Sequence, residues 1–154
     1  MALFTTSYKY MHDDTREQLF SLAEANALVP RLELILERMQ RASLIIREEL
    51  SSLAEELGEA ELARLSVHQL LQRKPSLHPL FEQLSQRVEE IEEYGCLFKG
   101  LELGLVDFLA NIDGEIVELC WQYGEKEVTY YHGREEGFAG RRLLDPRQKR
   151  PLYQ

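Results

Sequence analysis

The sequence predicts an α+β domain in which a long antiparallel helical hairpin covers one face of a small antiparallel β-meander, three strands or slightly more. Three observations predict it. From Leu32 to Leu57, and again from Leu77 to Ile91, apolar residues recur every three or four positions, the spacing of one helical face. Past Gly95 the pattern changes to alternating β-branched and aromatic runs. Two turn signals, Asp113-Gly114 and Gly124-Glu125, divide those runs into strands.

The helices come first. In Phe20-Ser21-Leu22-Ala23-Glu24 the Ser21 hydroxyl can accept from the backbone of Glu24 while the Glu24 carboxylate reaches back to Ser21, a capping box that starts a helix. Pro30 lacks an N–H, so either a kink or a short first helix is expected, with Pro30 leading a longer second one. The stripe Leu32, Ile35, Met39, Ala42, Ile46, Leu50, Leu53 and Leu57 then runs to Gly58. A weaker helical stretch over 61–73 carries Leu62, Leu65, Leu70 and Leu71 and breaks at Lys74-Pro75-Ser76. Leu77, Leu80, Phe81, Leu84, Val88 and Ile91 form the second stripe, closed by Gly95. Neither stripe can bury its apolar face alone, so the two helices are expected to pair. Glutamates such as Glu48, Glu55, Glu89 and Glu93 crowd the outer faces and read as solvated surface.

The turn signals set a register for the meander. With Asp113-Gly114 as a two-residue turn, Val106 faces Trp121, Phe108 faces Leu119 and Ala110 faces Val117. With Gly124-Glu125 as another, Trp121 faces Val128, Leu119 faces Tyr130 and Val117 faces His132. This choice gathers the apolar residues of three strands on one side, to be covered by the helices. A three-residue loop at 124–126 would set Val128 beside Gln122 and Trp121 opposite Thr129, so the tighter turn is preferred. The other side carries Leu105, Gln122 and Glu127 in one row, Asp107, Cys120 and Thr129 in the next, and Leu109, Glu118 and Tyr131 in the third. That side is expected to be mixed and partly wet.

Composition bounds the function. A chain of 154 residues with 44% hydrophobic residues builds one core without disulfides or metals. A net charge of -9 disfavours nucleic-acid binding except through the basic tail, which ends a stretch from Arg134 to Gln154 where six cationic residues (Arg134, Arg141, Arg142, Arg147, Lys149, Arg150) outnumber three acidic ones. No apolar run approaches a membrane span, and 1–18 has no hydrophobic block, so neither a span nor a signal peptide is expected. Cys96 and Cys120 are read as free thiols of a cytoplasmic protein. The expected boundaries are a lead over 1–18 whose order is left open, a single domain over 19–144 (helical over 19–95, β-rich over 96–144) and a basic tail over 145–154.

The candidate ligand residues are Asp107, Glu125, His132, Arg141 and Arg142, and each has a structural reading beside the functional one. Asp107 and Cys120, sharing a row, are weak candidates for a zinc or iron site, against a buried thiol beside a satisfied carboxylate. The register points His132 to the apolar side, away from them, as a core-edge ring with a hydrogen bond. Glu125 could act as an acid or base, though a turn needs no such role. Arg141 and Arg142, following Gly137-Phe138-Ala139-Gly140, could cradle an anion, or Arg141 could pair with Asp107. The sequence has no HExxH, CxxC pair, phosphate loop or nucleophile elbow, and it requires no cofactor.

Several segments resemble one family. They are Phe20-Ser21-Leu22-Ala23-Glu24-Ala25-Asn26-Ala27-Leu28-Val29-Pro30, Lys99-Gly100-Leu101-Glu102-Leu103-Gly104-Leu105-Val106-Asp107-Phe108, Leu119-Cys120-Trp121 with Gly124-Glu125, and His132 with Gly137-Phe138-Ala139-Gly140-Arg141. Together they look like the bacterial domain-of-unknown-function 2203 family, over 19–144. The chain departs from the family pattern at Tyr131, where Trp commonly precedes the His, and in its longer lead. The resemblance implies one domain and carries with it no reaction, ligand or catalytic residue. The reading favoured from sequence is a binding or regulatory module rather than an enzyme, self-associating as a homo-oligomer through a surface that includes Leu105, Leu109 and Tyr131. A metal-binding protein or metal-dependent enzyme using Asp107 and Cys120, with help from Glu125 or a second chain, is the alternative.

Overall fold

A computed structural model describes residues 18–149 of the chain; the lead before Gln18 and the end of the basic tail, 150–154, lie outside the described residues. The described chain divides into two compact units, one built from 18–36 and 90–149, the other from Glu37–Glu89.

Helix α1 (Leu22–Leu57) starts where the capping box places it: the Glu24 N–H donates to Ser21 Oγ at 3.1 Å and the Ser21 N–H to Glu24 Oε1 at 3.0 Å. Of the two expectations at Pro30, a restart is not what forms: the helix continues through Pro30 without a break. Losing one N–H and fitting the ring costs about 3 kcal/mol, and the burial of Val29, Leu32, Ile35 and Leu36 around it offsets that cost. In the second unit Met39, Ala42, Ile46 and Leu53 of α1 are buried, whereas Leu50 and Leu57 are half-buried. The weaker stretch divides into α2 (Glu59–Arg64) and α3 (Val67–Arg73), because Ser66 and Gln69 form a second capping box that starts a new helix. A 3-10 turn (Pro75–Leu77) leads into α4 (His78–Glu93), which buries Leu84, Val88 and Ile91. Lys74 Nζ ties the connector to Glu49 at 2.6 Å. No helix among the described residues is long and apolar enough to cross a membrane.

The first unit holds an antiparallel sheet of five strands in chain order: β1 (Leu97–Gly100), β2 (Leu105–Ile112), β3 (Glu115–Gln122), β4 (Tyr130–Gly133) and β5 (Arg142–Leu143). The β2–β3 register is the expected one, with Val106 opposite Trp121, Phe108 opposite Leu119 and Ala110 opposite Val117. Asp113 (φ 53) and Gly114 (φ 85) supply the two left-handed residues of the turn. Phe20, just ahead of α1, covers this face: its ring meets Phe108 edge-on at 5.2 Å and its N–H donates to the Leu109 carbonyl at 2.7 Å. Trp121, Phe108 and Val106 are wholly buried.

The β3–β4 register differs from expectation by one residue, with Val117 opposite Gly133, Glu118 opposite His132, Leu119 opposite Tyr131 and Cys120 opposite Tyr130. The cause is the bend taken together with the residues after it, since moving the corner by one position shifts the register by two and leaves the faces unchanged. The Glu125 N–H donates to the Gln122 carbonyl at 2.9 Å, so the corner is Tyr123-Gly124, with Gly124 at φ 101, and not Gly124-Glu125. Glu125 then holds the bend from both ends: its carbonyl accepts from Trp121 Nε1 at 2.9 Å and its carboxylate from the Gln122 N–H at 2.7 Å. Residues 126–129 leave the ladder, and the Val128 N–H finds Asn26 Oδ1 on α1 at 2.7 Å. A slip of one residue reverses every side chain of β4. His132 therefore faces away from the Phe108 side, and Tyr131 takes its place there.

The opposite side of the sheet is not wet. Leu105, Asp107, Leu109, Glu118 and Cys120 are all buried on it. The segment after β4, with its 3-10 turn (Phe138–Gly140) and β5 pairing on β4, closes over this side. The apolar surface expected at Leu105 and Leu109 is thus covered by the chain itself.

Candidate metal centre

Three neighbouring strands bring Asp107, Cys120 and His132 together. Asp107 and Cys120 are direct cross-strand partners, and His132 lies diagonally across β3 from Cys120. One donor atom from each lies within 4.8 Å of the others, and all three residues are buried. No other group of three or more His, Cys, Asp or Glu among the described residues is so placed.

The histidine ring decides what the cluster can do. Its Nδ1 lies 2.8 Å from the Gly133 carbonyl, which can only accept, so Nδ1 carries a proton. Its Nε2 lies 2.8 Å from Asp107 Oδ2. A neutral ring would there oppose its lone pair to a carboxylate lone pair; at this separation a proton shared between them removes the conflict, and a metal ion bound by both would set them about 3.3 Å apart. Glu118 Oε2 stands 3.5 Å from Nδ1, and Lys99 Nζ donates to Glu118 Oε1 at 3.1 Å. Two carboxylate oxygens, Asp107 Oδ1 and Glu118 Oε2, are buried with no hydrogen-bond partner among the described residues. Each such oxygen costs roughly 1–3 kcal/mol unless something fills the need.

The electrostatics agree with the geometry. Burial raises the Asp107 carboxyl above its ordinary range, against the opposing pull of His132. Burial alone would lower the His132 ring, but the Gly133 carbonyl and the Asp107 charge outweigh it and the net shift is upward. Burial, then the charge of Asp107, pushes the Cys120 thiol up to about 12. Cys120 is therefore a protonated thiol near neutrality, unsuited to act as a free nucleophile. A bound cation reverses this, because a coordinating thiol is deprotonated outright.

A cavity of about 230 Å³ adjoins the cluster, lined by it and by Lys99, Leu105, Glu118, Glu136, Gly137 and Phe138. Its roof is fastened by Glu136, which accepts from the Gly133 N–H at 3.1 Å and from Arg142 Nη2 at 2.9 Å. Glu136 lies between two glycines: a Cβ on either Gly133 or Gly140 would come within 2.8 Å of its carboxylate. Beside the cluster Arg141 forms a bidentate pair with Glu125, at 2.7 and 3.3 Å, stacks at 3.9 Å over the Tyr130 ring and 4.8 Å from that of Phe138, and points Nη1 at Cys120 Sγ, 3.7 Å away.

Of the residues singled out from sequence, the structure gathers Asp107, Cys120 and His132, correcting the expectation that His132 faces elsewhere. The expected Arg141–Asp107 pair does not form: β5 sets Leu143 opposite Tyr130, which carries Arg141 to Glu125, while Asp107 is taken by His132. Arg142 is exposed and paired with Glu136, and its guanidinium lies 5.0 Å over the Tyr131 ring. Glu118, Lys99 and Glu136 join the residues singled out from sequence; the sequence places Glu118 beside Leu109 on the side expected to be partly wet, and it is buried there. Both cysteines are free and buried.

Residues 18–144 match the model of a family described as an uncharacterized conserved protein, DUF2203. No curated protein matches, and no solved structure matches.

Proposed function

The chain belongs to the DUF2203 family of uncharacterized conserved proteins, and from that premise we propose that it is a metal-binding module whose centre is Asp107, Cys120 and His132. One observation carries the reading: a nitrogen, a sulfur and a carboxylate oxygen from His132, Cys120 and Asp107 lie within 4.8 Å of one another, with His132 Nδ1 already committed to a carbonyl so that Nε2 is the ring's remaining donor. A histidine whose second nitrogen donates to a backbone carbonyl is oriented as metal-binding histidines are. Mixed nitrogen, sulfur and carboxylate donors suit a borderline divalent ion of the zinc class, whereas magnesium and calcium take oxygen alone.

Cobalt tests it. One equivalent of Co²⁺ per chain should produce thiolate-to-cobalt absorption in the near ultraviolet and be displaced by Zn²⁺. Titration with no such band would leave a proton, not a metal, between His132 and Asp107, and would end the proposal.

Self-association is a separate proposal. Its sequence motive at Leu105 and Leu109 is gone, but Leu44 and Ile45 on α1 are 57% and 45% exposed and offer an apolar contact to a second copy. Light scattering that returns the monomer mass from micromolar to millimolar chain would dismiss it.

A further inference from the structure

We infer that Arg141 is a positioning residue of the metal centre: its guanidinium donates an N–H to the Cys120 sulfur and so supports that sulfur as the thiolate that meets the ion. The inference rests on the metal reading above and goes beyond it, to a residue that binds no metal itself.

The chemistry of the sulfur sets the need. A coordinating thiol gives up its proton, and Cys120 is only 1% exposed, so water cannot solvate the charge that then appears on it. A donor from the protein has to meet that charge. Arg141 Nη1 supplies one, 3.7 Å from Cys120 Sγ. A hydrogen bond to an ionised acceptor is also the stronger kind, so the contact strengthens when the metal takes the sulfur.

The donor is aimed from several sides. Glu125 Oε2 accepts from Nη2 at 2.7 Å and Oε1 from Nη1 at 3.3 Å. The pair is skewed, and its longer arm is the nitrogen that also reaches the sulfur. Nη1 carries two hydrogens, enough for both acceptors. The guanidinium carbon lies 3.9 Å from the centre of the Tyr130 ring and 4.8 Å from that of Phe138. Glu125 is itself held by the Gln122 N–H at 2.7 Å, on the same strand as Cys120, so donor and acceptor are referred to one rigid element. The Glu125 carboxylate balances the guanidinium, and the pair therefore offers the sulfur an N–H without adding net charge to the site. Fastening the covering segment accounts for the ion pair and the rings. It does not account for an N–H turned to the sulfur.

The experiment titrates the full chain with Co²⁺. R141M removes the donor; R141K keeps the charge but lacks the planar fork that reaches a carboxylate and a sulfur together. Both should lower Co²⁺ affinity by about 10–100-fold, the cost of losing an outer partner of a metal ligand. Both should also move the thiolate-to-cobalt band to longer wavelength, because a thiolate released from its hydrogen bond holds its electrons less tightly. F138L loosens the same segment and keeps the donor, so its band should stay at the native wavelength. A native band in R141M and R141K, an unchanged affinity in both, or a band that moves as far in F138L as in R141M would overturn the inference. Where neither Arg141 variant unfolds cooperatively, the native protein loaded with an NMR-active cadmium isotope decides. Scalar coupling from cadmium to a guanidinium proton sustains the inference; coupling to the Cys120 Cβ protons with none to the guanidinium overturns it. Absence of the thiolate-to-cobalt band from the native protein would instead defeat the metal reading beneath it.

Discussion

Cys120→Ser is expected to abolish the thiolate-to-cobalt band and to lower Co²⁺ affinity by more than about 100-fold, while the protein still unfolds cooperatively. The magnitude follows from comparison: losing a group that only orients a ligand costs about 10–100-fold, so losing a ligand atom costs more. Serine keeps the approximate shape of cysteine and stays polar beside the Arg141 guanidinium, which lies 3.7 Å from the sulfur. Substitution at His132 is a poorer test, because His132→Ala would leave Asp107, 2% exposed, without its cation. Breaking such a buried pair costs roughly 3–5 kcal/mol by itself, and a loss of metal would then be hard to tell from a loss of fold. A serine variant that binds Co²⁺ as tightly as the native protein would show that the sulfur is not a ligand.

Phe108→Ala should lower stability by about 3–5 kcal/mol, the range for removing a fully buried aromatic ring from a core. Phe108 is wholly buried, sits at the middle of β2, and is the ring against which Phe20 rests edge-on. For a chain of this size each kcal/mol is worth roughly 2–4 °C in Tm, so a fall of about 10–15 °C is expected by calorimetry. Leu143→Ala, at a position 64% exposed, should stay within about 0.5 kcal/mol and serves as the control. A Phe108 variant that melts within 2–3 °C of the native protein, against the roughly 10 °C expected, would mean that this face is not the core.

The sequence carried one hairpin completely and the other only in part, and the difference is physical. At Asp113-Gly114 two adjacent residues must take positive φ, and few dipeptides do, so the signal names its own corner. At the second bend only Gly124 is left-handed, and a single glycine does not say which neighbour shares the corner. Side chains settle it: the Trp121 indole and the Glu125 carboxylate each bind backbone of the bend, and residues four apart in the chain are joined in a way that strand alternation does not encode. Segregation of apolar residues sets the register of β2 and β3 but not that of β4. There Tyr131 joins the Phe108 side, and Val128 is buried from outside the ladder. The cost of that one step was His132, and with it the whole cluster. Asp107 and Cys120 were legible as a pair because their hairpin was. The covering segment was invisible for a different reason: β5 has two residues, both exposed, so neither carries the alternation that marks a strand.

The donors of the centre are mounted on ladders, not loops. Adjacent strands keep an interval of about 4.8 Å that is fixed by amide hydrogen bonding along their length, and Asp107, Cys120 and His132 occupy three such rails in succession. A loop-borne site can widen for a bulkier ion by bending; here widening would mean prising paired backbones apart. Ionic radius is thus judged by the pleat itself, a gauge set when the chain folds and indifferent to whatever later arrives.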